Sequence, residues 1–116
     1  MDRNKLHLYD ILQAIEKVER YLNNVDFVHY SQDEILTDAI ARQLGIMGEA
    51  TNRLSQEFRE KYPEQIPYKS MIGMRNFLVH DYAKVDRKIL WETAKKDLPN
   101  LKKSVSSLLN QLNEKI

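Results

Sequence analysis

The sequence predicts an all-α protein, a bundle of four to five helices, and three observations support this prediction. Apolar residues recur at intervals of three and four over most of the chain, which is the period of an amphipathic helix. Only three glycines and three prolines occur in 116 residues, so few positions force a break. No segment shows the alternation of apolar and polar residues that is typical of a half-buried strand. The length predicts one domain, residues 1–116, whose core needs no disulfide.

The first two predicted helices occupy the amino-terminal half of the chain. The first is amphipathic between Leu8 and Leu22, and the segment NNVDFVHYSQDE then breaks its pattern. A long second helix is predicted from about Ser31 to Glu60. Ser31 and Glu34 have the spacing of a capping box, in which each side chain satisfies a backbone N–H at the helix start. The segment YPEQIPY ends this helix, because prolines lack the backbone N–H that a helix needs.

The remaining helices are predicted in the carboxyl-terminal half. A third helix begins near Pro67, and Asp86 is a candidate cap for a fourth segment. Asp97 with Pro99 soon after predicts either a fresh helix start or a kink. Apolar residues then return at intervals of three and four from residue 98 to residue 112.

Three glycines, Gly45, Gly48 and Gly73, lie inside these predicted helices. Each costs about 1 kcal/mol relative to alanine in a helix interior. They indicate either local kinks or a close approach of the second and third helices that a side chain would prevent. Glu49 follows Gly48 and could then reach a cation on the neighbouring helix, for which we expect Arg75.

The composition excludes several classes of protein. The chain has no cysteine, which excludes disulfide frameworks, thiolate zinc sites and cysteine catalysis, and which fits the reducing cytoplasm where we expect the protein. We expect no signal peptide, and no apolar run approaches the roughly 18 residues of a membrane helix. The formal net charge is +1. A polyanion would therefore be bound by a local cluster of cations or at a subunit interface.

The segment MIGMRNFLVHDY, from Met71 to Tyr82, is hard to explain by packing alone. It surrounds a short apolar run, which we expect to form a buried turn, with polar residues: Arg75, Asn76, His80, Asp81 and Tyr82. A guanidinium binds phosphate oxygens with two parallel donors. An imidazole can accept or donate a proton near neutral pH. The segment is therefore a candidate site for phosphate chemistry.

The spacing of Arg75 and His80 does not by itself make them neighbours. They are five residues apart, which is about 140° around an ideal helix. Three arrangements would bring them together: a long arginine that wraps around the helix, a helix that ends near His80, or a two-fold dimer in which two motifs face each other.

Arginine and histidine together suit the cleavage of an RNA phosphodiester without a metal or cofactor. One histidine would take the proton of the 2′-hydroxyl, and the arginine would stabilise charge on the phosphoryl oxygens. A histidine of the second subunit would protonate the leaving 5′-oxygen. The alternative is ordinary structure, in which the histidine is a cap or surface residue and the arginine forms an ion pair. His7 and His29 lack such companions, and we predict that they are structural.

The residues from Gly48 to Ala50 and from Ile66 to Leu101 resemble the HepT-type HEPN proteins, the toxins of bacterial and archaeal toxin–antitoxin pairs. The shared pattern is arginine, four residues, histidine, any residue and tyrosine. The matching positions are Arg75, Asn76, His80 and Tyr82, with flanking matches at Gly73, Met74, Val85, Asp86, Trp91, Leu98 and Pro99. One departure is Tyr68, where a tryptophan is common.

The resemblance implies a HEPN-type four- to five-helix bundle that forms a homodimer with both motifs in one cleft. It implies a metal-independent endoribonuclease in which Arg75 and His80 are catalytic and Asn76 supports them. Glu49 and Asp81 are further candidate supporting residues. The implied partners are RNA and a nucleotidyltransferase antitoxin of the MNT type, which transfers AMP onto Tyr82 and so keeps RNA away.

Two alternatives remain at this stage. One is a catalytically silent HEPN module that binds a nucleotide or docks a nucleotidyltransferase, and the other is a purely structural helical dimer. Four cations, Lys69, Lys84, Arg87 and Lys88, lie near the motif in sequence. They predict a basic groove if a dimer axis doubles them, or else they only solvate an exposed turn.

Overall fold

The computed structural model describes residues 2–114, which form seven α-helices and no strand. The helices are α1 (Arg3–Tyr21), α2 (Phe27–Gln32), α3 (Glu34–Arg53), α4 (Gln56–Lys61), α5 (Tyr68–His80), α6 (Arg87–Glu92) and α7 (Leu98–Glu114). A 3-10 turn, Tyr82–Lys84, follows α5, and a π turn, Thr93–Asp97, joins α6 to α7. The prediction of an all-α bundle is confirmed, since the four long helices form it and the short ones connect them. No helix within these residues is long and apolar enough to span a membrane.

The core lies between α1, α3 and α7. The apolar positions predicted for the first helix, from Leu8 to Leu22, are buried. They meet Ile40 and Met47 of α3, and the apolar side of α7 around Val105 completes the core. Each fully buried aliphatic side chain contributes about 1.5–3 kcal/mol relative to exposure. Helix α5 packs on the other side of α3, so α3 is the central helix of the bundle.

The predicted start of the second helix is wrong. Ser31 lies in α2, and its hydroxyl donates to the carbonyl of Val28, so no capping box forms with Glu34. The cap of α3 is Asp33, whose carboxylate accepts a hydrogen bond from the backbone N–H of Leu36 at 2.9 Å. The segment read from sequence as a break therefore contains the short helix α2.

The predicted end of the second helix is also wrong, because α3 stops at Arg53. Leu54 has an extended backbone with ψ of 134°, and its side chain is buried. Ser55 then caps α4 by accepting a hydrogen bond from the N–H of Phe58. Leu54 and Phe58 keep helical spacing across this break, so the apolar pattern conceals it.

The carbonyl end of α3 is satisfied by an arginine from the next helix. The guanidinium of Arg59 donates to the carbonyls of Asn52 at 2.8 Å, Leu54 at 3.1 Å and Thr51 at 3.3 Å. The last carbonyls of a helix have no hydrogen-bond donor within the helix. The guanidinium of Arg59 is the donor for the carbonyls at this end of α3. They make the break between α3 and α4 a defined corner.

Two other predicted boundaries are confirmed, and at Asp97 the structure excludes one of the two predicted alternatives, the fresh helix start. Helix α5 follows Pro67, and Asp86 caps α6 by accepting a hydrogen bond from the N–H of Lys88 at 2.8 Å. No fresh start occurs at Asp97, because the backbone stays helical through the π turn into α7. The π turn lies beside Pro99, where the missing N–H interrupts the α-helical hydrogen bonds.

Helices α3 and α5 approach closely at Gly48. A Cβ atom at Gly48 would overlap the Cβ of Arg75 and would lie 2.6 Å from the carbonyl oxygen of Met71. The predicted close approach is therefore confirmed at Gly48. A Cβ atom at Gly45 or Gly73 would meet nothing within 4 Å, so the contact does not require glycine there.

Gly48→Ala should lower the free energy of unfolding, as measured by urea denaturation. Overpacking costs about 1–3 kcal/mol, and the better helix propensity of alanine offsets about 1 kcal/mol. The matched control is Gly73→Ala, which should leave the stability unchanged or raise it by up to about 1 kcal/mol. Equal stability changes in the two variants would contradict the close contact.

Candidate active site

Helix α5 lies at the edge of the bundle and leaves much of its surface exposed. All thirteen residues of α5 are described, and Leu78 alone among them is buried. Phe77 is 41% exposed and Val79 is 58% exposed. The prediction of a buried apolar turn is therefore wrong for these two residues. The two side chains are two residues apart and lie on different sides of the helix. Large exposed apolar side chains mark each of these sides as a candidate interaction surface.

The end of α5 redirects the chain towards α3. Helix α5 ends at His80, and the N–H of Asp81 donates to the carbonyl of Phe77 at 2.8 Å. The 3-10 turn that follows is closed by the N–H of Lys84, which donates to the carbonyl of Asp81. As a result, the side chain of Tyr82 packs against α3.

A shallow groove of about 530 Å³ lies between α3 and α5, and we call it the α3–α5 groove. Ile46 and Val79 supply part of its apolar lining. Its polar side chains include Asp38, Arg42, Glu49, Arg75 and Tyr82. The groove therefore combines two of the predicted motif residues with three side chains of α3.

Arg75 is fixed in this groove by two contacts. Its Nε lies 2.9 Å from Oε2 of Glu49, and its Nη1 donates to Oδ1 of Asn76 at 3.0 Å. Glu49 also pairs with Arg53 at 3.2 Å. The predicted contact between Glu49 and Arg75 is confirmed. Neither contact uses Nη2 of Arg75, which leaves that nitrogen for a further acceptor.

The Glu49–Arg75 pair is half-buried, with side chains 34% and 30% exposed. Removing one partner of such a pair leaves the other charge partly desolvated, so the two groups hold each other in place. Asn76 is exposed and touches Arg75. This is the geometry of an arginine positioned by its neighbours.

His80 is exposed and is not among the side chains that line the α3–α5 groove. One protomer therefore does not bring Arg75 and His80 into the same groove, as their spacing of about 140° predicted. Asp81 is also exposed. His29 lies at the start of α2, with Nδ1 2.7 Å from Oδ1 of Asp26.

Tyr82 makes a contact that the sequence did not predict. Its hydroxyl donates a hydrogen bond to Oδ1 of Asp38, 44 residues earlier on α3. Partial burial, this hydrogen bond and the negative charge of Asp38 together raise the pKa of Tyr82 to about 12, while Arg87 opposes the shift. Asp38 is a polar residue on a helix, and no sequence pattern links it to Tyr82.

The cations near the motif differ in their surroundings. Nη1 of Arg87 donates to the carbonyl of Ser31 at 2.6 Å, and the hydroxyl of Tyr30 donates to the carbonyl of Arg87. Arg87 thus joins α6 to α2. Lys88 lies 3.9 Å from Glu92, and Lys69 and Lys84 are exposed. Within residues 2–114 no group of three or more His, Asp or Glu side chains could hold a metal ion.

Comparison with known proteins gives a consistent result. The family model "Ribonuclease HepT-like" matches residues 11–108. "Putative RNase MJ0125" of Methanocaldococcus jannaschii is 36% identical over 111 residues, covering 96% of this chain and 95% of the relative. "Putative RNase TTE0752" of Caldanaerobacter subterraneus is 39% identical over 105 residues, 90% of this chain and 93% of the relative. "Probable ribonuclease HepT" of Thermococcus cleftensis is 38% identical over 99 residues, which cover 85% of this chain and 89% of the relative.

No solved structure matches the chain. The family match covers all the helices except the start of α1 and the end of α7, and it includes the whole segment from Arg75 to Tyr82. The relatives match over nearly their full lengths. The chain therefore belongs to the HepT-like ribonuclease family, and its fold is that of a HepT-type HEPN domain.

Proposed function

We propose that this chain is a metal-independent endoribonuclease, the toxin of a type VII-like HepT/MNT toxin–antitoxin pair in the cytoplasm. The observation that carries the proposal is Arg75, held by Glu49 at a groove open to solvent. A guanidinium fixed in this way offers its remaining donors to phosphate oxygens without losing side-chain freedom on binding. The ribonuclease family of the chain makes RNA the expected source of that phosphate.

The active site we propose is completed by a second copy of the chain. Arg75 lines the α3–α5 groove and His80 does not, so a single protomer lacks the catalytic pair. The surface beside the groove is apolar and exposed: Ile35 on α3 is 83% exposed and Val79 on α5 is 58% exposed. A two-fold dimer through this face would bury both and would bring two motifs into one cleft.

The proposed reaction is an internal transesterification of RNA. His80 takes the proton of the 2′-hydroxyl, whose oxygen attacks the adjacent phosphorus. The bond from phosphorus to the 5′-oxygen breaks, and the partner subunit's His80 protonates that oxygen. Arg75 stabilises the negative charge on the phosphoryl oxygens, with Asn76 holding its Nη1. The products carry a 2′,3′-cyclic phosphate and a 5′-hydroxyl, and DNA is inert because it lacks the 2′-hydroxyl.

Local charge supports RNA binding by a protein with a net charge of +1. Arg42 lines the groove beside Arg75, and Lys69 and Lys84 are exposed at the two ends of the motif region. A dimer axis would double these cations over a small area. The resulting field would attract a polyanion in spite of the nearly neutral total charge.

Tyr82 is the proposed point of control. It lines the same groove as Arg75, so AMP attached to its hydroxyl would introduce a phosphate and a nucleoside there. The added anion would occupy the guanidinium and repel RNA. We propose that an MNT-type nucleotidyltransferase antitoxin makes this transfer.

A second candidate function is a silent HEPN module that binds a nucleotide or docks a nucleotidyltransferase without cutting RNA. The observation that favours it is the same groove, which holds Arg75 and Tyr82 but not His80. Both functions use Arg75 to bind an anion. They differ in whether His80 transfers protons.

Purified parental protein, free of antitoxin, should cleave single-stranded RNA in EDTA and leave DNA intact. His80→Ala should reduce the rate by about 10²–10⁴-fold, the usual contribution of general acid–base catalysis. Its urea midpoint should be unchanged, because His80 is exposed. The matched control is His29→Ala, which should cleave normally. Intact RNA with the parental protein, together with tight nucleotide binding, would favour the silent module.

Arg75→Lys should also lose most of the cleavage activity, because an ammonium lacks the two parallel donors of a guanidinium. Mixing the parental protein with an excess of His80→Ala and allowing the subunits to exchange should lower the cleavage rate per parental subunit, because the proposed reaction needs the His80 of both chains. An unchanged rate per parental subunit after verified subunit exchange would contradict a cleft built from two chains.

Tyr82→Phe should fold normally and remain toxic when the antitoxin is expressed with it, because the variant has no hydroxyl to accept AMP. Mass spectrometry of the co-expressed proteins checks the modification directly. Tyr9→Phe is a suitable control, since Tyr9 is an exposed tyrosine on α1, away from the groove. A full AMP adduct on Tyr82→Phe would move the modification to another residue.

A further inference from the structure

We propose that Asp38 accepts the proton of Tyr82 when AMP is transferred to the tyrosine, an inference that rests on the proposed function of Tyr82. The hydroxyl of Tyr82 donates its hydrogen to Oδ1 of Asp38 across the α3–α5 groove. Asp38 is thus a carboxylate that already accepts a hydrogen bond through the proton that a nucleophilic phenol has to lose. Asp38 belongs to α3 and is not part of the Arg-x4-His-x-Tyr pattern.

The hydrogen bond to Asp38 orients the hydroxyl group of Tyr82. Tyr82 stands at the start of a single 3-10 turn whose backbone is closed by the N–H of Val85, which donates to the carbonyl of Tyr82 at 3.0 Å. This turn fixes the backbone, and the ring is still 41% exposed. The bond to Asp38 therefore anchors the hydroxyl at the far end of the side chain.

The hydrogen-bond geometry keeps the oxygen of Tyr82 open to an electrophile. A phenolic oxygen has one hydrogen to donate and lone pairs that accept. The hydrogen points to Asp38, so the lone pairs point elsewhere. Because the groove is shallow and open, a phosphorus atom presented by a docked enzyme can reach them.

Ionisation of the phenol without a base is unfavourable here. Partial burial and Asp38 raise the pKa of Tyr82 to about 12, so the phenol is protonated at neutral pH. Arg87 lowers this pKa and Tyr30 raises it further, while Arg42 and Arg75 line the same groove. Among the acids of the groove, Asp38 is the one in direct contact with the hydroxyl.

The proposed step balances without any redox change. The Oη atom of Tyr82 attacks the α-phosphorus of ATP held by the nucleotidyltransferase, and a bond from Oη to phosphorus forms. The bond from that phosphorus to the oxygen bridging to the β-phosphate breaks, and pyrophosphate leaves with the electron pair. The phenolic proton passes to Oδ1 of Asp38, which later releases it to water.

Asp38→Asn tests the role, because the amide keeps the size and an acceptor oxygen but is not a base. The variant and the parental chain are each incubated with the proposed MNT-type nucleotidyltransferase antitoxin and ATP. The amount of AMP on Tyr82 is followed by mass spectrometry from pH 6 to pH 9. The variant should be modified at least tenfold more slowly at pH 7. Its rate should rise with pH, whereas that of the parent should be nearly constant.

Two further variants sharpen the test. Asp38→Glu keeps a carboxylate and should recover part of the rate, and Asp10→Asn removes an exposed carboxylate from α1 and should behave as the parent. The pKa of Tyr82, measured as the ultraviolet difference between each protein and its Tyr82→Phe counterpart, should fall below about 12 in Asp38→Asn. Burial, the largest cause of the raised pKa, remains in the variant, whereas the hydrogen bond to the Asp38 carboxylate and its negative charge are lost.

The outcomes separate this inference from the proposed function. A parental rate and pH profile in Asp38→Asn would overturn the role of Asp38 while leaving Tyr82 as the acceptor. A slower rate with an unchanged pH profile would also overturn it, since Asp38 would then only orient the ring. If the parental chain gains no AMP on Tyr82, the proposed control and the role of Asp38 both fall.

Discussion

The contact of α3 with α5 at Gly48 is the constraint on which the groove depends. The missing side chain at Gly48 lets the Cβ of Arg75 lie against α3, and the guanidinium then reaches Glu49 at 2.9 Å. A wider separation of the two helices would break this ion pair. Tyr82, in the 3-10 turn after α5, touches Asp38 of the same helix α3. The steric contact at Gly48 and the ion pair of Glu49 with Arg75 therefore lie next to each other along the interface of α3 with α5.

This arrangement places Arg75, the proposed phosphate-binding residue, and Tyr82, the proposed modification site, in one groove. Arg75 stands in the body of α5, and Tyr82 returns to α3 because the helix ends and a 3-10 turn follows. A nucleotide added at Tyr82 would enter the groove that Arg75 lines. Covalent control of a phosphate site needs no conformational switch when the two groups share a surface.

Helix α5 keeps much of its surface exposed in the single chain. Helix α5 packs against α3 and leaves the apolar side chains of Phe77 and, at the groove, Val79 exposed. His80 is also exposed and does not line the groove that holds Arg75. The proposed second copy of the chain would bury apolar surface and would supply the other half of the proposed catalytic pair.

The sequence by itself determined the all-α class, the faces of the amphipathic helices, the start of α5 and the family pattern of Arg75, His80 and Tyr82. These follow from local spacing, from prolines and caps, and from residue types. Only the tertiary structure decided where α3 ends, which helix side stays exposed and that Asp38 meets Tyr82. The physical reason is that a 3.6-residue period identifies the apolar side of a helix but not the element opposite it, and the Asp38 contact joins residues 44 positions apart.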